Sequence, residues 1–261
     1  MEIDKIYNEN CLDTMARMPD GFIDLTVTSP PYDGLRDYNG YVFPFEEIAR
    51  ELYRVTKRGG VVVWVVNDAV VDGSETGTSF RQALYFKEIG FNIHDTMIWK
   101  KDSSAFPEST RYAPVFEYMF VFSKGAPKAI NLIADRKNKW GGTEIHGTFR
   151  EKDGKLHGRS AQWKEVVTKD YGVRFNVWDI ATEKNNKTGH PAVFPLKLAG
   201  DHIRTWSNEN DLVFDCFLGS GTTALAAHNL NRRFIGSEIS EEYYNIAKER
   251  IQLQMSNLRL F

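Results

Sequence analysis

Apolar positions along the chain fall into two alternating periods. Phe45 to Arg54 (FEEIARELYR) has helical spacing, while Val61 to Val66 is an unbroken apolar run suited to a strand buried on both faces of a parallel sheet. Gly59-Gly60 between them reads as the stop signal of the helix. Upstream, Ile3 to Tyr7 predicts a short strand, Asp13 to Met18 a turn or two of helix, and Phe22 to Thr28 (FIDLTVT) a second strand. That strand is cut by Ser29-Pro30-Pro31-Tyr32. A proline pair cannot continue a central strand, so the chain must leave the sheet and present these residues at its carboxyl edge.

Downstream, Ser79 to Ile89 predicts a helix, and Phe91 to Lys100 and Val115 to Phe122 two strands joined by a long loop that carries Arg111. After an irregular stretch come a helix (Phe194 to Trp206), a strand (Asp211 to Asp215), a helix (Thr222 to Leu230), a strand (Arg233 to Glu238) and a closing helix (Glu241 to Met255). The alternation predicts an α/β fold of the doubly wound kind, a mostly parallel sheet with helices on both faces and one insertion.

Composition narrows the class. With 261 residues, 42% hydrophobic and 26% charged, the chain can build a core without staples and is not disordered, collagen-like or coiled-coil. The longest apolar run is far too short to span a bilayer, and the N-terminus is acidic where a secretory signal would be basic, so the expected location is cytoplasmic. Two cysteines, Cys11 and Cys216, supply neither a disulfide framework nor a four-thiolate metal site; they read as buried thiols, and no metal is expected. Net charge is −2, but Lys124 to Arg174 holds 12 Lys+Arg against 6 Asp+Glu, interleaved with Trp140, Phe149, Trp163 and Tyr171. Such a stretch fits either an insert that meets a polyanion or a solvated surface excursion.

The chemistry lies in DLVFDCFLGSGTTALAA, a glycine-rich turn between a buried strand and a helix, with Glu238 at the tip of the following strand. Gly219 and Gly221 allow a tight bend and close approach to a ligand, and a carboxylate at that tip can accept from both ribose hydroxyls. A nicotinamide cofactor suits these residues nearly as well. However, only 40 residues follow Gly221, too few for the strands a dinucleotide fold needs, so the remaining strands lie upstream. The sheet is then a circular permutation, expected in the order 211–215, 233–238, 3–7, 22–28, 61–66, with Ser29 to Tyr32 and the glycine turn on one edge.

Thr28-Ser-Pro-Pro-Tyr32 followed far downstream by Phe217-Leu-Gly-Ser-Gly221 resembles the β-group exocyclic-amino DNA methyltransferases, which act on cytosine N4 or adenine N6. Arg111 to Lys124, Val177-Trp-Asp-Ile180 and Gly189-His-Pro-Ala-Val-Phe-Pro195 resemble further family segments in the family's order. The resemblance runs nearly end to end. It implies a circularly permuted Rossmann-like methyltransferase fold whose seven-stranded, mostly parallel sheet ends in an antiparallel hairpin. Residues 1–124 would be the catalytic part, 125–176 a target-recognition insert and 177–261 the cofactor-binding part. It also implies S-adenosylmethionine as cofactor, with S-adenosylhomocysteine as product, and double-stranded DNA as partner. A homodimer and a cognate restriction endonuclease stay open as further partners.

The residue types suit that chemistry. An aromatic amine is a poor nucleophile because its lone pair is conjugated with the ring. Ser29 Oγ and the Pro30 carbonyl could accept hydrogen bonds from its two protons, Pro31 would add rigidity, and Tyr32 would stack on a base flipped from the duplex. By the resemblance, the cofactor would meet Asn10 (where the family usually has Asp), Cys11, His190, Pro191, Phe194, Asp215, Phe217, Gly219, Gly221, Thr222 and Glu238. Tyr38, Tyr41 and Phe43 would line the base pocket or simply pack. DNA would meet Arg111, Lys137, Lys139, Trp140, Arg150 and Arg159, with a surface ion pair the other reading of Arg111. His190 reads as a pocket residue or a structural histidine.

Neither cysteine follows a proline, which excludes a carbon-5 cytosine enzyme. Ser in the first motif position is commoner among cytosine N4 enzymes and Asp among adenine N6 enzymes, so the resemblance favours cytosine N4. Two alternatives remain at this level: the same reaction on adenine N6, and a catalytically idle module that binds S-adenosylmethionine and nucleic acid.

Overall fold

The computed structural model describes residues 1–31, 43–104, 109–144, 148–150, 152–158, 167–183 and 195–257. The chain begins with β1 (Lys5–Tyr7), α1 (Cys11–Ala16), β2 (Ile23–Thr28), α2 (Phe45–Val55), β3 (Thr56–Val66), the small hairpin β4 (Val70–Val71) and β5 (Ser74–Glu75), and α3 (Thr78–Glu88). It continues through β6 (Asn92–Lys100), β7 (Phe116–Ser123), β8 (Arg136–Lys137), β9 (Thr148–Arg150), β10 (Leu156–Gly158), β11 (Tyr171–Gly172) and β12 (Val177–Asp179). The last elements are α4 (Leu196–Trp206), β13 (Leu212–Asp215), α5 (Thr222–Asn229), β14 (Arg233–Ser237) and α6 (Glu241–Asn257). No helix among the described residues is long and apolar enough to cross a membrane.

The main sheet runs β1-β14-β13-β2-β3-β7-β6-β12. Neighbours are parallel except at β7, which runs antiparallel to both β3 and β6. The expected seven strands and reversed hairpin are present, and the three-residue β12 adds an eighth strand beside β6. The expected order of the first five strands is corrected. The N-terminal strand β1 lies at the outer edge beside β14 rather than between β14 and β2, and β13 is the strand that pairs with β2. The burial of β1 gives the reason, since of its three residues only Ile6 is buried, which suits an edge and not a central strand.

Strand residues alternate between two cores, which explains the unbroken apolar run. Val61, Val63 and Val65 face a core built with α4, α5 and α6, whereas Val62, Trp64 and Val66 face one built with α1, α2 and α3. Both faces are covered, so both sets of side chains leave water, each contributing about 1.5–3 kcal/mol.

A second correction concerns Gly59-Gly60. Helix α2 already stops at Val55, where Thr56 turns extended and its hydroxyl donates to Leu52 O at 2.6 Å. The glycine pair lies inside β3, in a bulge between the pairs Ile23–Thr56 and Leu25–Val61. Gly59 adopts φ +83°, and a Cβ on Gly60 would meet Thr56 Cγ2 at 2.8 Å and Asp24 O at 2.9 Å.

The chain divides into two compact units, residues 1–131 with 176–261, and residues 132–175. The smaller unit is built from short antiparallel pairs, β8 with β11 and β9 with β10.

Candidate functional site

The topology fixes where a ligand can sit. From β2 the chain proceeds to β3 on one side, and from β13 it proceeds to β14 on the other, so β2 and β13 flank the point where strand order reverses. In open α/β sheets the crevice outside the carboxyl ends at such a point is the ligand site. Ser29-Pro30-Pro31 leaves β2 there and the glycine turn leaves β13 there. Pro30 is buried, and Ser29 and Pro31 are half-buried.

Side chains join the two turns directly. Thr28 Oγ1 donates to Asp215 Oδ1 at 2.6 Å, and the Phe217 N–H donates to the same oxygen at 3.0 Å. Thr223 Oγ1 donates to Val27 O at 3.3 Å. Asp215 is buried, which raises its pKa above the ordinary carboxylate value, against the opposing hydrogen bonds from Thr28 and Phe217.

Glu238 closes the other side of the turn. Its Oε2 accepts the Gly219 N–H at 2.7 Å, its Oε1 accepts the Ser240 N–H at 2.9 Å, and its own N–H donates to Tyr7 O at 3.0 Å. Burial raises its pKa too, opposed by those backbone donors. Two carboxylate oxygens offer about four lone-pair sites, which leaves room for a ligand hydroxyl beside these backbone donors. Gly219 (φ +53°) and Gly221 (φ +85°) take left-handed conformations, and a Cβ on Gly221 would stand 3.0 Å from Ala247 Cβ. Thr222, the first residue of α5, has a buried hydroxyl with no hydrogen-bond partner among the described residues.

Aromatic rings form one wall. Phe217 is half-buried and meets Phe43 edge-on at 5.6 Å and Trp64 at 6.2 Å between centroids. Asn10 caps α1, its Oδ1 accepting the Leu12 N–H at 3.0 Å, as an Asp would. The Cys11 side chain is a core group whose thiol is pushed up to about 12 by burial, and the Cys216 thiol is raised well above its ordinary value for the same reason. Neither is a thiolate. Tyr32, Tyr38, Tyr41, His190, Pro191, Phe194 and Arg159 lie outside the described residues.

The DNA candidates are divided between the units. Lys137, Lys139, Trp140 and Arg150 are exposed in the smaller unit, with Lys139 Nζ over the Trp140 ring at 5.1 Å. Arg111 belongs to the larger unit, where it donates to Gly73 O and lies 4.0 Å from Glu75.

Several contributors escaped the sequence reading. Thr28 and Thr223 join the turns. Arg250 of α6 donates to Ser220 O and, at 2.9 Å, to Ser220 Oγ, clamping the glycine turn from outside. Gly236 makes room for Leu218, whose Cδ1 would be 2.7 Å from a Cβ there. The TSPPY and LGSGTT strings point to the neighbourhood of the threonines, whereas nothing near Arg250 or Gly236 in sequence marks them.

Comparison with known proteins follows the same lines. A family model described as DNA methylase matches residues 23–249. The orphan methyltransferase M.BamHII of Bacillus amyloliquefaciens is 61% identical over 238 residues, covering 88% of this chain and 89% of that protein. The type II methyltransferase M.BglII of Bacillus subtilis is 29% identical over 255 residues, covering 94% and 68%. Among solved structures, the cytosine-N4-specific PvuII DNA methyltransferase superposes with a TM-score of 0.68 at 21% identity, covering 96% of this chain and 90% of that one. The Thermus thermophilus protein TTHA0409, complexed with S-adenosyl-L-methionine, gives 0.64 at 24% identity, covering 96% and 93%. At such identities these two speak for the fold.

Proposed function

The chain belongs to the DNA methylase family of β-group exocyclic-amino methyltransferases, and on that premise we propose that it transfers a methyl group from S-adenosylmethionine to the amino nitrogen of a base flipped out of duplex DNA, cytosine N4 before adenine N6. The single observation that carries this reading is the 2.6 Å bond between Thr28 and Asp215, which puts the Ser29 turn and the glycine turn on one crevice.

The residues present fit the cofactor. The unpartnered Thr222 hydroxyl at the start of α5 suits a carboxylate, and Glu238, held by two backbone N–H groups, suits the ribose hydroxyls. Gly219 and Gly221 give the turn the left-handed bends it needs ahead of α5, Phe217 offers a ring face, and Asn10 stands at the head of α1 beyond β1. When bound, the cofactor supplies an electrophilic methyl carbon on a sulfonium.

The chain's own contribution is to prepare the amine. Ser29 Oγ and the Pro30 carbonyl accept hydrogen bonds from the two amino N–H groups, drawing the nitrogen out of conjugation so that its lone pair faces the methyl carbon; the N–C bond forms as the S–C bond breaks, the thioether leaves, and the methylated amine then gives up one proton to solvent. The proline pair fixes φ and holds both acceptors before substrate arrives, so little rearrangement is left for the moment of transfer. Tyr32 stacks on the extruded base, a contact worth about 1–3 kcal/mol in single-strand binding. In this reading target recognition falls to the smaller unit, supported by its exposed Lys137, Lys139, Trp140 and Arg150, and Ser29 in the first motif position favours cytosine.

The test is transfer of labelled methyl from S-adenosylmethionine to unmethylated duplex DNA, followed by digestion to nucleosides and mass analysis. N4-methylcytosine is expected. N6-methyladenine would move the target but keep the mechanism, and absence of label in DNA would leave the idle binding module as the better reading.

A further inference from the structure

Where strand pairing between β2 and β13 ends, a side-chain bridge takes over. The ladder pairs Val213 with Leu25 and Phe214 with Thr26. Past that point the strands diverge into their two turns, and a direct link between them is Thr28 Oγ1 donating to Asp215 Oδ1 at 2.6 Å, with Cys216 Sγ 3.6 Å from the same hydroxyl. Thr28 is fully buried and immediately precedes Ser29. Asp215 Oδ1 also accepts the Phe217 N–H, two residues before Gly219. One carboxylate oxygen therefore binds the residue before the amine acceptors and the backbone entering the cofactor turn.

We propose that Thr28 is a positioning residue for methyl transfer: through Asp215, its hydroxyl sets the Ser29 acceptor against the glycine turn. The inference rests on the reaction proposed above and adds to it a residue that touches neither base nor cofactor. Valine has nearly the shape of threonine, so a role confined to packing would survive Thr28→Val with little change. A positioning role would not, because the hydrogen bond from the residue next to Ser29 to the carboxylate that holds the cofactor turn would be lost while both binding surfaces stayed in place. Thr223 still joins α5 to Val27 O, which keeps the glycine turn itself anchored.

The experiment measures single-turnover methyl transfer to unmethylated plasmid DNA and equilibrium binding of S-adenosylmethionine, for the wild-type protein and for Thr28→Val, Thr28→Ser and Ser29→Ala. For Thr28→Val we expect a rate at least 30-fold lower with cofactor affinity within threefold, and for Thr28→Ser a return to within threefold of the wild-type rate. The proposal is overturned if Thr28→Val keeps its rate to within threefold, if Thr28→Ser is as slow as Thr28→Val, or if cofactor affinity falls in step with rate. Should Thr28→Val not fold, Thr28→Ala takes its place in the same comparison. Ser29→Ala separates the two levels. Full activity in that variant defeats the underlying reaction scheme, whereas a slow Ser29→Ala beside an unaffected Thr28→Val defeats only the positioning role.

Discussion

Replacing Glu238 by Gln separates what the fold needs from what the cofactor needs. Its carboxylate accepts two backbone N–H groups, from Gly219 at 2.7 Å and Ser240 at 2.9 Å. Glutamine keeps one oxygen for one of them, but its NH2 then opposes the other donor. A hydrogen bond to a charged acceptor contributes about 1.5–3 kcal/mol, and the ribose hydroxyls would lose that class of bond. A deficit of roughly 2–3 kcal/mol corresponds to about a 30- to 150-fold rise in the Kd of S-adenosylmethionine.

Stability should move less, and with the opposite dependence on pH. The folded Glu238 pKa lies above its ordinary value because of burial, so the folded state holds its proton more tightly than the unfolded one. Folding stability from this group is therefore largest below the ordinary carboxylate value and is lost as pH rises through the folded pKa. Relative to the wild type, the Gln variant should gain in melting temperature as pH rises from 4 to 8, while calorimetric titration at pH 8 shows the weakened cofactor. Unchanged cofactor affinity at pH 8 would refute the assignment of Glu238 to the ribose.

Ser29→Ala should lower the methyl-transfer rate at least 100-fold while leaving cofactor Kd within threefold, as read by single-turnover kinetics and titration. Gly221→Ala places a Cβ 3.0 Å from Ala247 Cβ on a residue at φ +85°, so thermal unfolding should show a loss of about 2–4 kcal/mol. Both thiols are buried and protonated, so native protein at pH 8 should resist alkylation by iodoacetamide over hours, and guanidinium-unfolded protein should react at both. If Lys137 and Arg150 contact phosphates, each change to Ala should reduce the slope of log affinity against log salt by about 1, measured by fluorescence anisotropy with duplex DNA.

Much of the fold was legible because it is written locally. The run Val61 to Val66 must be buried on both faces, the proline pair must end β2, and Gly219 and Gly221 mark a tight turn, so elements and turns were found close to their observed bounds. Neighbour relations are not local. Whether β1 lies at the edge or inside the sheet is decided by which strand its three residues pair with, and the clue was the polar character of Lys5 and its neighbours, half-exposed on an edge. The glycine pair at 59–60 misled because glycine stops helices and permits bulges alike. The site was legible in its ligand-facing residues, whose types are fixed by chemistry. Thr28, Arg250 and Gly236 act through spatial neighbours some 20 to 190 positions away, so no local pattern announces them.

In the proposed reaction the Ser29 turn and the glycine turn serve one crevice in which an amine faces the methyl donor. Its most direct test is a structure of the protein with S-adenosylhomocysteine and a duplex carrying the target found by modified-base sequencing of DNA from expressing cells. The extruded base is expected with its amino nitrogen within hydrogen-bond reach of Ser29 Oγ and the Pro30 carbonyl, and the ribose hydroxyls on Glu238. A base left in the stack, or a cofactor away from the glycine turn, would contradict it.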